Sequence, residues 1–268
     1  MNLIHFTTKD LPSRGLFYDR VYNITLRSLN IGQFKDLMRC NEKYFKDNII
    51  SVLDNIVETD GLNVYDMLNG DVMAIIMWYK CNSSNEVNLS LTYKCKKCDN
   101  KIETNINLGE FDEVSLDENI GEGVSLPSGK FLKYAPKTYL EYEKSNDTIG
   151  HICNVFKYLT PNDIDNFDLD DFLYLKDAVK SFEFGFRYKN NIGCRFCKSR
   201  YNMIIDAEYY HIFSHEDYNS IIKNILSISK YSNYQIRNDE SLFDYETSIR
   251  VVNGMIKEED DEMNKLTK

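Results

Sequence analysis

Cys95 and Cys98 stand two residues apart between two runs that alternate like strands. Before the pair, Val87, Leu89, Leu91 and Tyr93 recur at period two; after it, Ile102, Thr104, Ile106 and Leu108 do the same. Such alternation predicts a strand, a turn and a return strand. A Cys-x-x-Cys turn between two strands is a zinc knuckle, because it aims both thiolates at one point and one ion can take two bonds from it.

A closed structural zinc site needs four ligands, so two must come from elsewhere. The stretch from Phe182 to Tyr210 repeats the design. Phe182, Phe184, Phe186 and Tyr188 alternate, Cys194 and Cys197 form the turn, and Tyr201, Met203 and Ile205 alternate back. The expectation is that the two hairpins face each other across one structural Zn2+, with Cys95, Cys98, Cys194 and Cys197 as its ligands. Lys94, Lys96, Lys97 and Lys101 flank one pair, and Arg195, Lys198 and Arg200 the other. These cations offset the −2 charge of a zinc tetrathiolate. They also leave open a nucleic-acid-binding zinc ribbon or transcription factor, with Tyr93, Phe196 and Tyr201 as the nearby aromatics. A redox dithiol is the third reading. It wants its first cysteine at a helix N-terminus, and strand-like alternation follows both pairs here.

The rest of the chain reads as two runs of one scheme. Leu11-Pro12-Ser13 and Gly15 are turn residues, and Phe17, Tyr18, Tyr22, Ile24 and Leu26 suggest a β-hairpin. Asn30 and Gln33 suit a capping box. Helices are predicted over 45–58 and about 63–78, ahead of the first knuckle. Leu126-Pro127-Ser128-Gly129 then restarts the scheme, with Val124, Phe131, Leu132 and Tyr134 as strand residues. Thr138 and Glu141 form a box for a helix to about Leu159. Thr160-Pro161 with Asp163 opens another, ahead of the second knuckle. The leucine-to-cysteine spacing is 84 in the first run (95 − 11) and 68 in the second (194 − 126), a difference of 16 that helical insertions must absorb.

The fold class expected is therefore α+β. Two pseudo-repeated halves, each a β-hairpin, helices and a Cys-x-x-Cys β-hairpin, join at a zinc-ribbon-like site. Residues 1–108 form the first half, 109–123 an acidic connector, 124–212 the second half and 213–268 a C-terminal helical appendix. In the appendix, Ser214 and Asp217 suggest a cap, and the charged end of the chain reads as solvated.

Other features exclude rather than assign. A net charge of −10 argues against nonspecific nucleic-acid binding. The longest apolar run, Val72 to Trp78, is far short of a membrane span. The N-terminus has no basic region followed by an apolar stretch, so cytosolic synthesis is expected and paired cysteines read as metal sites before disulfides. Cys40, Cys81 and Cys153 lie in or beside apolar patterns and read as buried thiols. His211 and His215 straddle the cap at Ser214 and read as ordinary histidines. Asp163, Asp165, Asp168, Asp170 and Asp171 lack the glycine and closing glutamate of a calcium loop and read as caps and a solvated face. No phosphate loop, nucleophile elbow or zincin motif occurs, and the chain reads as non-enzymatic.

Leu11 to Tyr18, the strand ending at Leu26-Arg27-Ser28-Leu29, the helices, and Tyr93-Lys94-Cys95-Lys96-Lys97-Cys98 with a strand to Leu108 together resemble the baseplate hub proteins of T4-like contractile-tailed phages. The likeness covers residues 11–108 best and 11–255 in outline. It departs at Lys96, where proline is usual, and at Asp99, where glycine is usual; both changes leave the ligands intact. The resemblance implies a structural or assembly role without turnover. The implied partners are other hub and tail proteins, with self-association also compatible and nucleic acid not expected. The implied setting is the host cytoplasm during assembly, or the virion tail.

Overall fold

The structure is a computed structural model. It describes residues 3–38, 45–83, 88–143, 145, 147–206, 215–232 and 235–266. The architecture is mixed α+β with small sheets. In chain order the elements are β1 (Ile4–Thr7), β2 (Asn23–Leu26), α1 (Ile31–Met38), α2 (Phe45–Ile56), β3 (Val57–Thr59), α3 (Asn69–Ser83), β4 (Asn88–Lys94) and β5 (Lys101–Asn107). Next come β6 (Asp112–Val114), β7 (Gly123–Ser125), β8 (Phe131–Lys133), α4 (Thr148–Val155), α5 (Pro161–Asp165) and α6 (Leu169–Lys180). The last are β9 (Gly185–Gly193), β10 (Arg200–Asp206), α7 (His215–Ser232) and α8 (Leu242–Leu266). The sheets run β1-β2-β3, β10-β9-β6, β4-β5 and β7-β8.

Two compact units divide these elements: Met1–Ile4 with Thr25–Glu58 and Phe213–Lys268, and His5–Ile24 with Thr59–Ile212. The first is helical. Asn30 and Gln33 cap α1 reciprocally, at 2.8 Å and 3.0 Å. Phe34, Leu37, Ile49, Leu53 and Ile56 are buried with Ile228, Tyr245 and Val252. The amides of Ile31 and Gly32 bond to the carbonyls of Glu240 and Asn238. The C-terminal helices thus share a unit with α1 and α2. Ser214, His211 and Cys40 lie outside the described residues.

The second unit holds both cysteine hairpins. One core gathers Leu126, Leu132, Tyr134, Ile152, Phe156, Leu175 and Phe182. Phe17 packs onto it, 5.0 Å from the Phe182 ring. Gly70, in the first turn of α3, lies against Phe184; a Cβ there would meet the ring at 2.6 Å and the carbonyl oxygen at 2.9 Å. Only glycine permits that approach of α3 to the chain entering β9.

Several elements differ from the sequence reading. Residues 11–20 form turns and bends rather than a hairpin, because Arg14 and Gly15 both adopt positive φ. The helix expected from 63 begins at Asn69; Val64–Asp66 is a single 3-10 turn capped by Asn63. The Thr138–Glu141 box forms, but the helix starts ten residues on, capped by Asp147. The Thr160–Asp163 box forms as expected. The acidic stretch 109–123 contributes β6, which pairs with β9, and buried Leu116. Cys153 is buried, but Cys81 is exposed, being in the last turn of α3.

The two Leu-Pro-Ser turns are held in the same way. Ser13 donates its N–H to Asp71 Oδ1 at 2.9 Å and its hydroxyl to Oδ2 at 2.6 Å. Ser128 donates its N–H to Asp171 Oδ1 at 3.0 Å and its hydroxyl to Oδ2 at 2.6 Å. Each aspartate is the third residue of its helix, α3 or α6. Asp171 was read from sequence as part of a solvated face; it is buried, because the turn consumes it.

Asp71 has a third donor, the Tyr18 hydroxyl, at 2.7 Å. Complete burial still pushes its pKa from 3.8 up to about 6, against the pull of those donors. The folded value lies above the unfolded one, so the folded state binds the proton more tightly. Stability from this group is greatest below about pH 4 and is lost as pH rises through about 6. Asp71→Asn is expected to flatten that part of the stability profile, read as a narrower gap between urea midpoints at about pH 5 and about pH 7. Asp71→Ala is expected to cost about 2–3 kcal/mol, because it leaves three donors unpaired.

Candidate metal centre

Each cysteine pair sits in a tight turn closing a seven-residue ladder. Lys94 pairs with Lys101 at the end of β4-β5, and Gly193 with Arg200 at the end of β9-β10. The turns are the same in their bonds. Cys95 N–H bonds to Asn100 O at 3.0 Å and Asp99 N–H to Cys95 O at 2.9 Å. Cys194 N–H bonds to Ser199 O at 2.8 Å and Lys198 N–H to Cys194 O at 2.9 Å. Closing the turn requires a left-handed residue after the second cysteine. Asp99 and Lys198 take φ of 54° and 61°, which is why glycine suits that position.

The structure brings the two turns together. Cys95 Sγ lies 3.6 Å from Cys197 Sγ, and Cys98 Sγ lies 3.7 Å from Cys194 Sγ. All four sulfurs lie within 4.8 Å of one another. A tetrahedron of sulfurs about 2.3 Å from a zinc ion has edges of about 3.8 Å. The donor set therefore fits a four-coordinate soft divalent metal. Cys95 and Cys194 are buried, with Ile102 beside them.

Around the sulfurs stand hydrogen-bond donors. Lys97 N–H points at Cys95 Sγ, 3.5 Å away. Asn100 Nδ2 donates to Cys98 Sγ at 3.3 Å. The Ser199 hydroxyl lies 2.9 Å from Cys197 Sγ and 3.6 Å from Cys95 Sγ. Asn100 and Ser199 occupy the same place, two residues after the second cysteine. Neither is evident from sequence without the turn geometry. The Lys97 amide, with the Ser199 hydroxyl, draws the Cys95 thiol down to about 6. Ser199 likewise lowers Cys197. At Cys98 the Asn100 donors pull down, but burial and the neighbouring sulfurs of Cys95 and Cys194 outweigh them and raise it to about 11. Metal binding needs thiolates, and protons remaining on these clustered sulfurs oppose it. A metal entering the cage must displace those protons, so binding weakens as pH falls.

Comparison with protein families matches residues 3–171 to the T4 bacteriophage base plate proteins. That is 169 of 268 residues (171 − 3 + 1). The chain belongs to that family. The match includes the first cysteine pair and ends before the second. No curated protein and no solved structure matches this baseplate protein.

Other candidates in the baseplate protein gain nothing from the structure. Asp163 and Asp168 cap α5 and α6. Both cysteine pairs lead into strands, β5 and β10, so neither first cysteine sits at the helix N-terminus that redox dithiols commonly use. Among the described residues no helix is long and apolar enough to cross a membrane. Asn100→Ala and Ser199→Ala are each expected to weaken metal retention about tenfold or more, by analogy with other outer-shell ligands. Competition with a chromophoric chelator reads that loss.

Proposed function

We propose that this protein is a non-enzymatic structural or assembly component of a phage baseplate hub, in which one Zn2+ bound by Cys95, Cys98, Cys194 and Cys197 staples two related halves of the chain. Family membership supports the baseplate role. The single observation that carries the staple is the sulfur spacing, which suits one tetrahedral ion. Bound zinc would supply no reaction here. Four thiolates close its coordination and leave no open position for substrate.

The reading of two pseudo-repeated halves, within 1–108 and 124–212 around the segment 109–123, gains support from the serine–aspartate clamps. From clamp aspartate to first cysteine the chain runs 24 residues in one half (95 − 71) and 23 in the other (194 − 171). From serine to aspartate it runs 58 and 43. Of the 16-residue difference between the halves, 15 therefore falls between serine and aspartate (58 − 43). Turn, clamp, helix and knuckle recur in one order, at nearly one spacing from clamp to knuckle, and the extra length falls between turn and clamp.

The partners would be other baseplate hub and tail proteins, met in the host cytoplasm during assembly or in the virion tail. The C-terminal helices are proposed as one contact surface, since Leu226, Val251 and Met255 expose apolar side chains there.

Metal analysis of purified protein is expected to find about one zinc per chain, and none would end the staple reading. Cys95→Ser combined with Cys194→Ser should abolish it and lower the thermal midpoint. Removing 214–268 is expected to leave zinc bound, because all four cysteines lie in the other compact unit. The truncated protein should fail to join its partners; normal assembly after that deletion would count against the C-terminal contact.

A further inference from the structure

The cage sets two turn tips side by side. Between the cysteines, one tip carries Lys96 and Lys97, and the other Arg195 and Phe196; all four are exposed. At the foot of the first tip Lys94 stands directly opposite Lys101. Like charges facing each other across a ladder cost stability. Among the described residues none of these cations has a carboxylate partner. Charge compensation at the metal does not account for them. Seven cations flank the two turns, against −2 for a zinc tetrathiolate and −1 for Asp99, leaving about +4. This patch belongs to a chain whose net charge is −10.

Phe196 is 53% exposed, and the Arg195 guanidinium lies 5.0 Å from its ring centroid. An aromatic ring and an arginine are the side chains that most often anchor interfaces. The surface is thus cationic, with an exposed apolar ring beside Arg195.

Nucleic acids and acidic protein segments both carry clustered negative charge. Single-strand binders stack successive bases on several exposed rings. Here Tyr93 and Tyr201 are turned against each other at 5.8 Å and 82°, with both hydroxyls buried. Among the described residues of the two tips, only Phe196 remains to stack on. A polyanion longer than the patch would also meet the acidic remainder of the chain. A short acidic segment would not.

We propose that the paired knuckle tips are a docking surface for an acidic protein segment carrying an apolar side chain that covers Phe196. This rests on the stapled reading of the cage, because the ion is what holds the two turns together.

The test uses full-length protein whose zinc content is measured on the same sample. The probes are a fluorescein-labelled peptide of glutamates interspersed with leucines and a labelled mixed-sequence single-stranded oligonucleotide, read by anisotropy. The zinc-loaded protein should bind the peptide, with affinity falling about tenfold from about 50 to about 300 mM salt. Lys96→Gln, Lys97→Gln and Arg195→Gln together should weaken binding about tenfold or more with zinc content unchanged, and Phe196→Ala should weaken it at every salt concentration. Three results would overturn the docking surface while leaving the staple intact: no peptide binding by zinc-loaded protein, equal binding by the variants, or tighter binding of the oligonucleotide lost in the same variants. Absence of zinc would overturn the staple, and with it this proposal.

Discussion

Four sulfurs lie within 4.8 Å of one another where two hairpin turns meet, a spacing from which one metal ion could take four bonds. β4 and β5 form a two-stranded sheet, and an isolated two-stranded hairpin is marginal in water. The cluster around the cage offers little help, since its buried members are Cys95, Ile102 and Cys194. Three side chains bury too little apolar surface to order two hairpin tips. A metal–thiolate site supplies folding free energy of a different order, because it barely exists in the unfolded chain. The geometry of the tips follows from that need. Asp99 and Lys198 accept left-handed backbone so that each turn closes and its two sulfurs converge.

The sulfur cage constrains the ends of the hairpins, and the serine–aspartate clamps constrain the chain before them. A buried carboxylate without a cation needs several donors, and Asp71 finds three in Ser13 and Tyr18. The clamp fixes where the Leu-Pro-Ser turn meets the first turn of a helix, and that helix leads into the knuckle. The same bonds recur at Ser128 and Asp171. Specific polar bonds, rather than a shared apolar pattern, make these two turns alike.

Period-two alternation and the cysteine spacing made both knuckle hairpins legible, because strands and tight turns leave local signatures. The same holds for the boxes at Asn30–Gln33 and Thr160–Asp163, where a polar residue and its partner lie three apart. Structure that depends on distant partners was not legible. β6 has three residues and exists only because β9 pairs with it. Asp171 looked like one acid among five until the turn at Ser128, 43 residues earlier, claimed it. Asn100 and Ser199 look like ordinary turn residues until the sulfurs are in place beside them. A helix start is not legible where a capping box forms without a helix behind it, as at Thr138.

The distance between the cysteine pairs along the chain gives the cage a further thermodynamic effect. Cys98 and Cys194 are 96 residues apart (194 − 98). Bringing together the ends of a loop of about 100 residues costs an unfolded chain roughly 4–5 kcal/mol of conformational entropy. A continuous ribbon with its pairs some fifteen residues apart would face only about 3 kcal/mol. A metal site spanning the wide gap would therefore depend on the folded body between the pairs, which sets the two turns side by side. The core built on Tyr134, Phe156 and Phe182 has apolar contacts enough to form without the ion. A metal captured by the four sulfurs would then fix knuckle tips that this body already carries.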